Sequence, residues 1–205
     1  MARDPRLPEV RPAQIGELDG IARAMARAFA DDPALGFLLG DARRLERLEL
    51  FFEAELRVVA FPHEIVWTTD GLLGGAIWAR PGHWRVPVSA SIAEGPAMVR
   101  VFGSRLGLAL WTRLRMERLH PKRPESYYLA AIGVAPEGQG RGVGSALMEP
   151  MLERIDAEGA PAYLEASTTR SRGLYGRHGF VQTGEIRLPR GGPAIWPMWR
   201  EPGGP

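Results

Sequence analysis

Glycines recur at every second position in a short segment between an apolar strand and an apolar helix. Gly140, Gly142 and Gly144 follow Gln139, and the preceding strand is predicted to end at Val134. The first turn of a helix has unpaired N–H groups at the positive end of the helix dipole, and glycines let a ligand approach them closely. The spacing matches neither a P-loop nor a G-x-G-x-x-G turn. The segment therefore predicts a backbone cradle for an anion such as a phosphate.

Thiol and metal chemistry have little support in the sequence. Cysteine is absent, which excludes thiol nucleophiles, disulfides and cysteine–zinc sites. The four histidines (His63, His83, His120 and His178) are scattered, and no pair has a ligand spacing such as i, i+4. We therefore expect no metal. His120, at a predicted helix end, is expected to complement the helix dipole as a cation.

Length and charge favour one independently folded domain. The chain has 205 residues, of which 45% are hydrophobic, so it can bury a core on its own. The net charge of +2 comes from interspersed residues without a basic arm, and we expect no nucleic-acid partner. No apolar run approaches the roughly 20 residues of a membrane span, and residues 1–12 lack the apolar core of a signal peptide. We expect a cytoplasmic monomer or homodimer that binds no membrane.

The first half of the chain is predicted to be mainly helical. Its expected elements are a strand at 9–13, helices at 17–30 and 41–61 with a short helix ending at Leu39 between them, strands at 64–69 and 72–80, and helical structure over 90–119. Asp70-Gly71 is a two-residue turn signal between the two later strands. Pro62 is expected to end the helix before it. Gly95-Pro96 and Gly103 are expected to interrupt the last helical region.

The second half of the chain alternates between strands and helices. Its expected elements are a strand at 126–134, a helix at 142–158, a strand at 162–166, a helix at 169–178, and strands at 180–188 and 194–200. This alternation predicts a layered α/β sheet with partly parallel strands. We expect a single domain over residues 1–205, with an ordered core from about 9 to 200.

Two motifs resemble the GCN5-related N-acetyltransferase (GNAT) superfamily. Gln139–Gly144 matches its pyrophosphate-binding signature Gln/Arg-x-x-Gly-x-Gly/Ala and follows the strand end Ile132–Val134. Leu174–Phe180 is similar to its Leu-Tyr-x-x-x-Gly-Phe segment. The resemblance, over about residues 11–200, implies acetyl-CoA as co-substrate. It also implies a GNAT fold, a mixed, twisted central β-sheet flanked by helices, with its two central parallel strands splayed to admit acetyl-CoA.

The resemblance implies cofactor binding by the strand end, the glycine-rich turn and the start of the next helix. These residues are Ile132, Gly133, Val134, Gln139, Gly140, Arg141, Gly142, Val143, Gly144 and Ser145. Backbone groups of Ile132 and Val134 would pair with the pantetheine arm, and an N–H near Val134 would polarise the thioester carbonyl. Arg141 is either a solvated loop residue or is attracted to the phosphates. Ser171 stands where many members have an Asn that contacts CoA.

Two residues are candidates for proton transfer. In the family, the tyrosine at the position of Tyr175 often lies near the thioester sulfur. A phenol (pKa about 10) stays protonated at neutral pH and can donate to a developing thiolate (pKa about 8.5); the alternative is a core aromatic. Glu165 could accept the ammonium proton of an amine through water, or form a structural salt bridge. Asp31, Asp32 and Glu125 are alternatives for that role.

The acceptor implied by the resemblance is a primary amine of a small molecule that attacks acetyl-CoA directly. Residues 120–134 and 161–167 resemble puromycin N-acetyltransferases, which implies an aminonucleoside antibiotic and a role in antibiotic resistance. The candidates for acceptor binding are Asp31, Asp32, Phe37 and Trp84. The two acids could equally cap a helix, and the two aromatics could be core. Two alternatives stay open: a non-catalytic acyl-CoA-binding module, and an acetyltransferase for another amine or a protein amino group.

Overall fold

A mixed, eight-stranded sheet forms the centre of the computed structural model, which describes residues 8–204. Its strands are β1 (Val10–Pro12), β2 (Ile65–Thr69), β3 (Gly74–Ala79), β4 (Tyr127–Val134), β5 (Ala162–Ala166), β6 (Val181–Gln182), β7 (Ile186–Arg187) and β8 (Ala194–Arg200). The order is β1-β2-β3-β4-β5-β8-β6, and β7 also pairs with β8. Only β4 and β5 are paired in parallel among the described strands. The predicted fold class is confirmed.

Helices cover both faces of this sheet. They are α1 (Leu18–Ala28), α2 (Pro33–Leu39), α3 (Arg44–Ala54), α4 (Phe61–His63), α5 (Val88–Phe102), α6 (Leu106–Leu119), α7 (Val143–Ala157) and α8 (Thr169–Arg177). Successive residues of β3 point to opposite faces. Ile77 packs with Ile21 of α1 and Phe52 of α3, whereas Trp78 packs with Leu147 of α7. None of the helices in the described part of the chain is long and apolar enough to cross a membrane.

The helix that begins at α3 continues past Pro62, contrary to the expectation from the sequence. After α3 the chain forms a π-helical segment, Glu55–Ala60, and then the short turn α4. Pro62 lies in the first two positions of that turn, directly after the π-helical segment, so the helix changes its hydrogen-bonding pattern just before the proline. The chain leaves the helix at Glu64, which turns to extended backbone.

The break in the region 90–119 falls at Gly103 and not at Gly95-Pro96. Gly103 has a φ of 52°, in the left-handed region that favours glycine, and it separates α5 from α6. Helix α5 runs through Pro96 because Glu94, Val101 and Phe102 are buried on either side of it. Tertiary packing here outweighs the local cost of a proline in a helix.

The expected strand over 180–188 is two short strands. β6 pairs with Met198 and Trp199 of β8, and β7 pairs with Ala194 and Ile195 of the same strand. Between them the chain leaves the ladder near Gly184, a residue type that weakens strands. The other predicted strands and helices match the observed ones to within a few residues at their ends.

Candidate active site

The central parallel strands separate in the middle of the sheet. β4 pairs with β5 only from Tyr127 to Leu129, which lie opposite Ala162 to Leu164. β4 continues to Val134 along β3, and β5 continues to Ala166 along β8. Beyond Leu129 and Leu164, β4 is therefore paired only with β3 and β5 only with β8, and a wedge-shaped gap opens between β4 and β5. This geometry matches the predicted splay.

The open edge of β4 carries backbone groups that face the wedge. The N–H of Ala135 donates to the carbonyl of Leu73, on the β3 side. In an antiparallel pair, the N–H and C=O of successive residues point alternately toward and away from the partner strand. Ile132 and Val134 therefore direct their backbone groups away from β3, into the wedge, where a pantetheine amide could pair with them.

The glycine-rich turn leads from this edge into α7. Gly142 is the N-cap residue with a φ of 84°, and no side chain of residues 8–204 caps the helix. Gly140 also has a positive φ, and a Cβ there would meet nothing within 4 Å among the described residues. The first N–H groups of α7 are thus left without intrahelical partners at the positive end of the dipole. Exposed Arg141 lies in the same turn. These residues fit the pyrophosphate of acetyl-CoA.

Several residues predicted to bind the cofactor have partners within the protein. The side chain of Gln139 donates to the carbonyl of Val134 (2.9 Å) and accepts from Arg170 (2.7 Å), so it fixes the shape of the turn. Ser145 Oγ lies 3.0 Å from Nε2 of His178. Ser171 forms a capping box with Thr168 at the start of α8. Sequence alone did not indicate these structural roles.

Gly133 and Gly144 have packing reasons to be glycine. A Cβ at Gly133 would lie 2.9 Å from the Cβ of Ala28 and 3.0 Å from the ring of Phe29. A Cβ at Gly144 would lie 3.3 Å from Leu174, while the next residue along the motif, Val143, is buried. Their lack of side chains lets α1 and α8 approach the cofactor side of the sheet.

A cavity of about 400 Å³ extends from the wedge between β4 and β5 toward the helices. Ala130 and Ala131 of β4 and Glu165 and Ser167 of β5 form its border with the wedge. Most of the remaining wall is apolar or aromatic, from α3, α5 and α6. A cavity of this size suits a small molecule.

Glu165 is a half-buried carboxylic acid at the junction of wedge and cavity. Burial raises its pKa to about 7, although hydrogen bonds with Tyr128 and Tyr163 favour the charged form and limit the rise. The phenol of Tyr128 donates to Oε2 of Glu165 over 2.8 Å. A carboxyl group with a pKa near 7 suits a general base at neutral pH.

Tyr175 and Asp32 lie close together beside the same region. Tyr175 is 7% exposed and packs edge-on against Phe180. Burial, and secondly the charge of Asp32, raises the pKa of Tyr175 above its ordinary value, so this phenol is a hydrogen-bond donor at neutral pH. Asp32 lines the cavity, caps α2 by accepting from the N–H of Leu35 (2.8 Å), and accepts from the hydroxyl of Ser167.

The other predicted acceptor residues divide between the cavity and the surface. Trp84 lines the cavity. Asp31 and Glu125 are exposed and lie outside the lining, as does Phe37, which packs against the small cluster of Ala34, Leu188 and Ile195. The structure therefore does not bring Phe37, Asp31 or Glu125 to this cavity.

His120 is not the helix-end cation expected from the sequence. It stacks on Trp84 with ring centroids 3.8 Å apart and meets Tyr128 and Tyr163 edge-on. Burial, together with the nearby charge of Arg85, lowers its pKa to about 4, so it is neutral at physiological pH. Within the described part of the chain, no group of three acidic or histidine side chains is placed to hold a metal ion.

Sequence reasoning missed three glutamates that line the cavity: Glu55, Glu64 and Glu94. Only Glu55 left a signal, because it lies three residues after Phe52 and four before Val59, on the inward stripe of the predicted helix. A carboxyl group on that stripe is unusual. Tyr128 and Ser167 were also missed as site residues.

Comparisons with known proteins agree with this geometry. Residues 103–180 match the family model described as "Acetyltransferase (GNAT) family". A Schizosaccharomyces pombe protein described as an uncharacterized N-acetyltransferase is 28% identical over 185 residues, which cover 82% of this chain and 72% of the relative.

Solved structures extend the similarity over the whole fold. The structure of a Corynebacterium glutamicum protein, described as "histone acetyltransferase HPA2 and related acetyltransferase", has a TM-score of 0.75 at 27% identity, covering 97% of this chain and 98% of that one. The Drosophila melanogaster polyamine N-acetyltransferase shares the fold with a TM-score of 0.57 at 17% identity, over 94% of this chain and 99% of that one. With its splayed sheet and glycine-rich turn, the chain has the fold of GNAT acetyltransferases, matches their family model over residues 103–180, and is an acyltransferase.

Proposed function

We propose that this acyltransferase moves the acetyl group of acetyl-CoA to a primary amine of a small molecule by direct attack of the amine. The observation that carries the proposal is the place of Glu165, a half-buried carboxyl group at the junction of the β4–β5 wedge and the cavity. An amine in the cavity would meet a proton acceptor beside the strand edge predicted to hold the thioester.

Acetyl-CoA would lie along the open edge of β4 and the first turn of α7, and it supplies the thioester that donates the acetyl group. The backbone of Ile132 and Val134 would orient its pantetheine arm, and the N–H groups after Gly142 would bind its phosphates. An N–H near Val134 would polarise the thioester carbonyl. Catalysis would rest mainly on this positioning.

Glu165 would take the proton that the attacking ammonium group must lose, directly or through water. Its pKa of about 7 lets it be unprotonated at neutral pH and still basic enough to accept that proton. Tyr175 would donate a hydrogen bond to the departing thiolate. Because burial raises the pKa of Tyr175, hydrogen bonding accounts for its role better than full proton transfer.

The acceptor site is the cavity beyond Glu165. Its apolar wall and Trp84 suit a flat or aliphatic body, and Asp32 adds a carboxylate near the wedge. Puromycin, with its free amine and aromatic groups, is therefore one acceptor to test, with antibiotic resistance as the role that would follow. The Drosophila fold neighbour forms N-acetylagmatine, and the Corynebacterium relative is described as a histone acetyltransferase, so other amines belong in the same panel. We further propose a cytoplasmic monomer or homodimer.

The test is thiol release from acetyl-CoA with a panel of amines: puromycin, aliphatic amines, polyamines and a lysine-containing peptide. We expect a small primary amine to be acetylated, with mass spectrometry confirming the N-acetyl product. Glu165→Gln should lower kcat by about 10²-fold at pH 7 while the Kd for acetyl-CoA stays unchanged.

A matched control tests the acceptor atom. Puromycin with a blocked amine should not be acetylated, and acetylation of the free form alone would support that acceptor. Acetyl-CoA binding without turnover of any amine would favour the alternative, a non-catalytic acyl-CoA-binding module. Preferred turnover of the peptide would instead indicate a protein acceptor.

A further inference from the structure

Three glutamates from separate segments line the cavity together with Glu165. Glu55 begins the π-helical segment after α3, Glu64 follows α4, and Glu94 lies in the middle of α5. The carboxyl groups of Glu55 and Glu94 are within hydrogen-bonding range, and Glu64 interacts electrostatically with both. We call these three residues the acidic floor. None of them belongs to the cofactor motif.

The acidic floor has polar atoms without partners. Glu94 is 2% exposed and lines the cavity, yet its Oε1 has no hydrogen-bond donor among residues 8–204. Its neighbour Glu55 can donate a hydrogen bond to Glu94 only when the carboxyl group of Glu55 is itself protonated. Oε2 of Glu64 and the hydroxyl of Thr112, both on the cavity wall, are likewise unpartnered in the described structure. Buried polar atoms of this kind call for a partner, which a bound N–H donor would supply.

Charge also points to a cationic ligand. Six lining residues carry carboxyl groups: Asp32, Glu55, Glu64, Glu94, Glu117 and Glu165. The guanidinium of Arg113 lies among them, but it is shared: Nη1 is 3.9 Å from Glu94, Nε is 3.2 Å from Glu117, and Nη2 donates to Ser91. His120 is neutral at physiological pH. One shared guanidinium leaves the cavity with an excess of acidic groups.

Burial makes the carboxyl groups of the acidic floor easier to protonate than ordinary carboxyl groups. Burial raises the pKa of Glu64 to about 7 and raises the pKa of Glu55 and Glu94 as well, while nearby carboxylates add to the rise for Glu55 and Glu64. A bound cation would favour the ionised carboxylates and so oppose their protonation.

One aromatic residue of the cavity wall, Tyr128, connects Glu165 with the acidic floor. Tyr128 hydrogen-bonds Glu165, and the charges of both Glu165 and Glu64 act on its phenol. The wall of the cavity includes apolar side chains from α3, α5 and α6: Phe52, Met98, Phe102 and Leu106. The cavity thus offers a carboxyl group at the wedge, an apolar wall, and a second group of carboxyls.

We propose that Glu55, Glu64 and Glu94 bind a second positive charge of the acceptor, so that the substrate class is a small amine with a second ammonium or guanidinium group on an apolar spacer. This inference rests on the proposed function, because the first amine is the one that receives the acetyl group beside Glu165.

The test compares α,ω-diaminoalkanes of three to eight carbons with n-alkylamines of the same lengths, at saturating acetyl-CoA. At the best length we expect kcat/KM for the diamine to exceed that of the monoamine at least tenfold. This ratio should fall at least fivefold in Glu94→Gln and in Glu64→Gln, mainly because the KM for the diamine rises. Glu46→Gln, an exposed glutamate on α3, is the matched control and should keep the ratio.

Equal kcat/KM for diamines and monoamines at every length would overturn the inference. A diamine-to-monoamine ratio that is unchanged in both Glu94→Gln and Glu64→Gln would also overturn it. Calorimetric titration of the diamine into the protein separates this inference from the proposed function. If the wild type binds the diamine, Glu94→Gln does not, and no amine is acetylated, the proposed function is wrong but the second-cation site is supported. Absence of both binding and turnover would overturn both.

Discussion

The phenol of Tyr128 donates a hydrogen bond of 2.8 Å to Oε2 of Glu165, across the one parallel strand pair of the described sheet. Tyr128 lies opposite Tyr163 in the register, and Glu165 is two residues further along β5, on the same face. The bond therefore spans the strands where they begin to diverge. It ties the candidate base to the strand that leads to the cofactor edge.

Replacing Tyr128 with Phe should shift the pH dependence of the reaction. The lost hydrogen bond favours the charged form of Glu165, so its pKa should rise from about 7 by roughly one unit. The acidic limb of the kcat/KM profile should move to higher pH by the same amount. Tyr127→Phe is the control, because that phenol bonds Glu158 instead (2.6 Å). An unmoved profile would remove Glu165 as the titrating base.

A negative charge at Gly142 should weaken acetyl-CoA binding. The residue has a φ of 84° at the N-cap of α7, so any side chain there is strained. Gly142→Asn carries nearly the same shape and strain without the charge, and it is the matched control. We expect the Kd of Gly142→Asp to exceed that of Gly142→Asn at least tenfold, about 1.4 kcal/mol. Equal affinities by calorimetry would place the phosphates elsewhere. Gly144 is a less suitable position for this test, because any side chain introduced there would crowd Leu174.

The hydroxyl of Tyr175 should matter for rate and not for folding. Tyr175→Phe keeps the ring that packs against Phe180 and removes only the donor near Asp32. We expect kcat to fall by roughly 10²-fold with the Kd for acetyl-CoA unchanged. Thermal unfolding of the variant should match the wild type. A variant as fast as the wild type would make Tyr175 a core aromatic only.

The acidic floor should make stability fall as the pH rises. Glu64 has a pKa of about 7 in the folded protein against 4.5 as its ordinary value, so the folded state holds more protons between those values. The free energy of unfolding therefore decreases from about pH 4.5 to pH 7. Glu64→Gln removes this loss and should be more stable than wild type by roughly 1–3 kcal/mol at pH 8, and by much less at pH 5. Urea unfolding at both pH values measures the difference, with Glu46→Gln as control. A stability difference that is the same at both values would contradict a raised pKa.

The sequence by itself determined the order of the elements and the place of the glycine-rich turn before α7. Apolar periodicity and the glycines at 140, 142 and 144 are local signals, and the conformations they specify depend on neighbouring residues. For the same reason the helix over 143–157 and the strand before it match their predicted positions closely. The local signal at Pro96 failed, because burial of the surrounding residues of α5 kept the chain helical there. At Pro62 the helix ended one residue beyond the proline, at His63.

The composition of the acceptor cavity was decided only by the tertiary structure. Glu94 is 30 or more residues from Glu64 and Glu55 in the chain, and it meets them because α5 packs over the same face of the sheet as the π-helical segment. The neutral His120 and the pKa of Glu165 likewise depend on burial by distant residues. Desolvation and charge proximity are properties of three-dimensional neighbours, and no spacing along the chain encodes them.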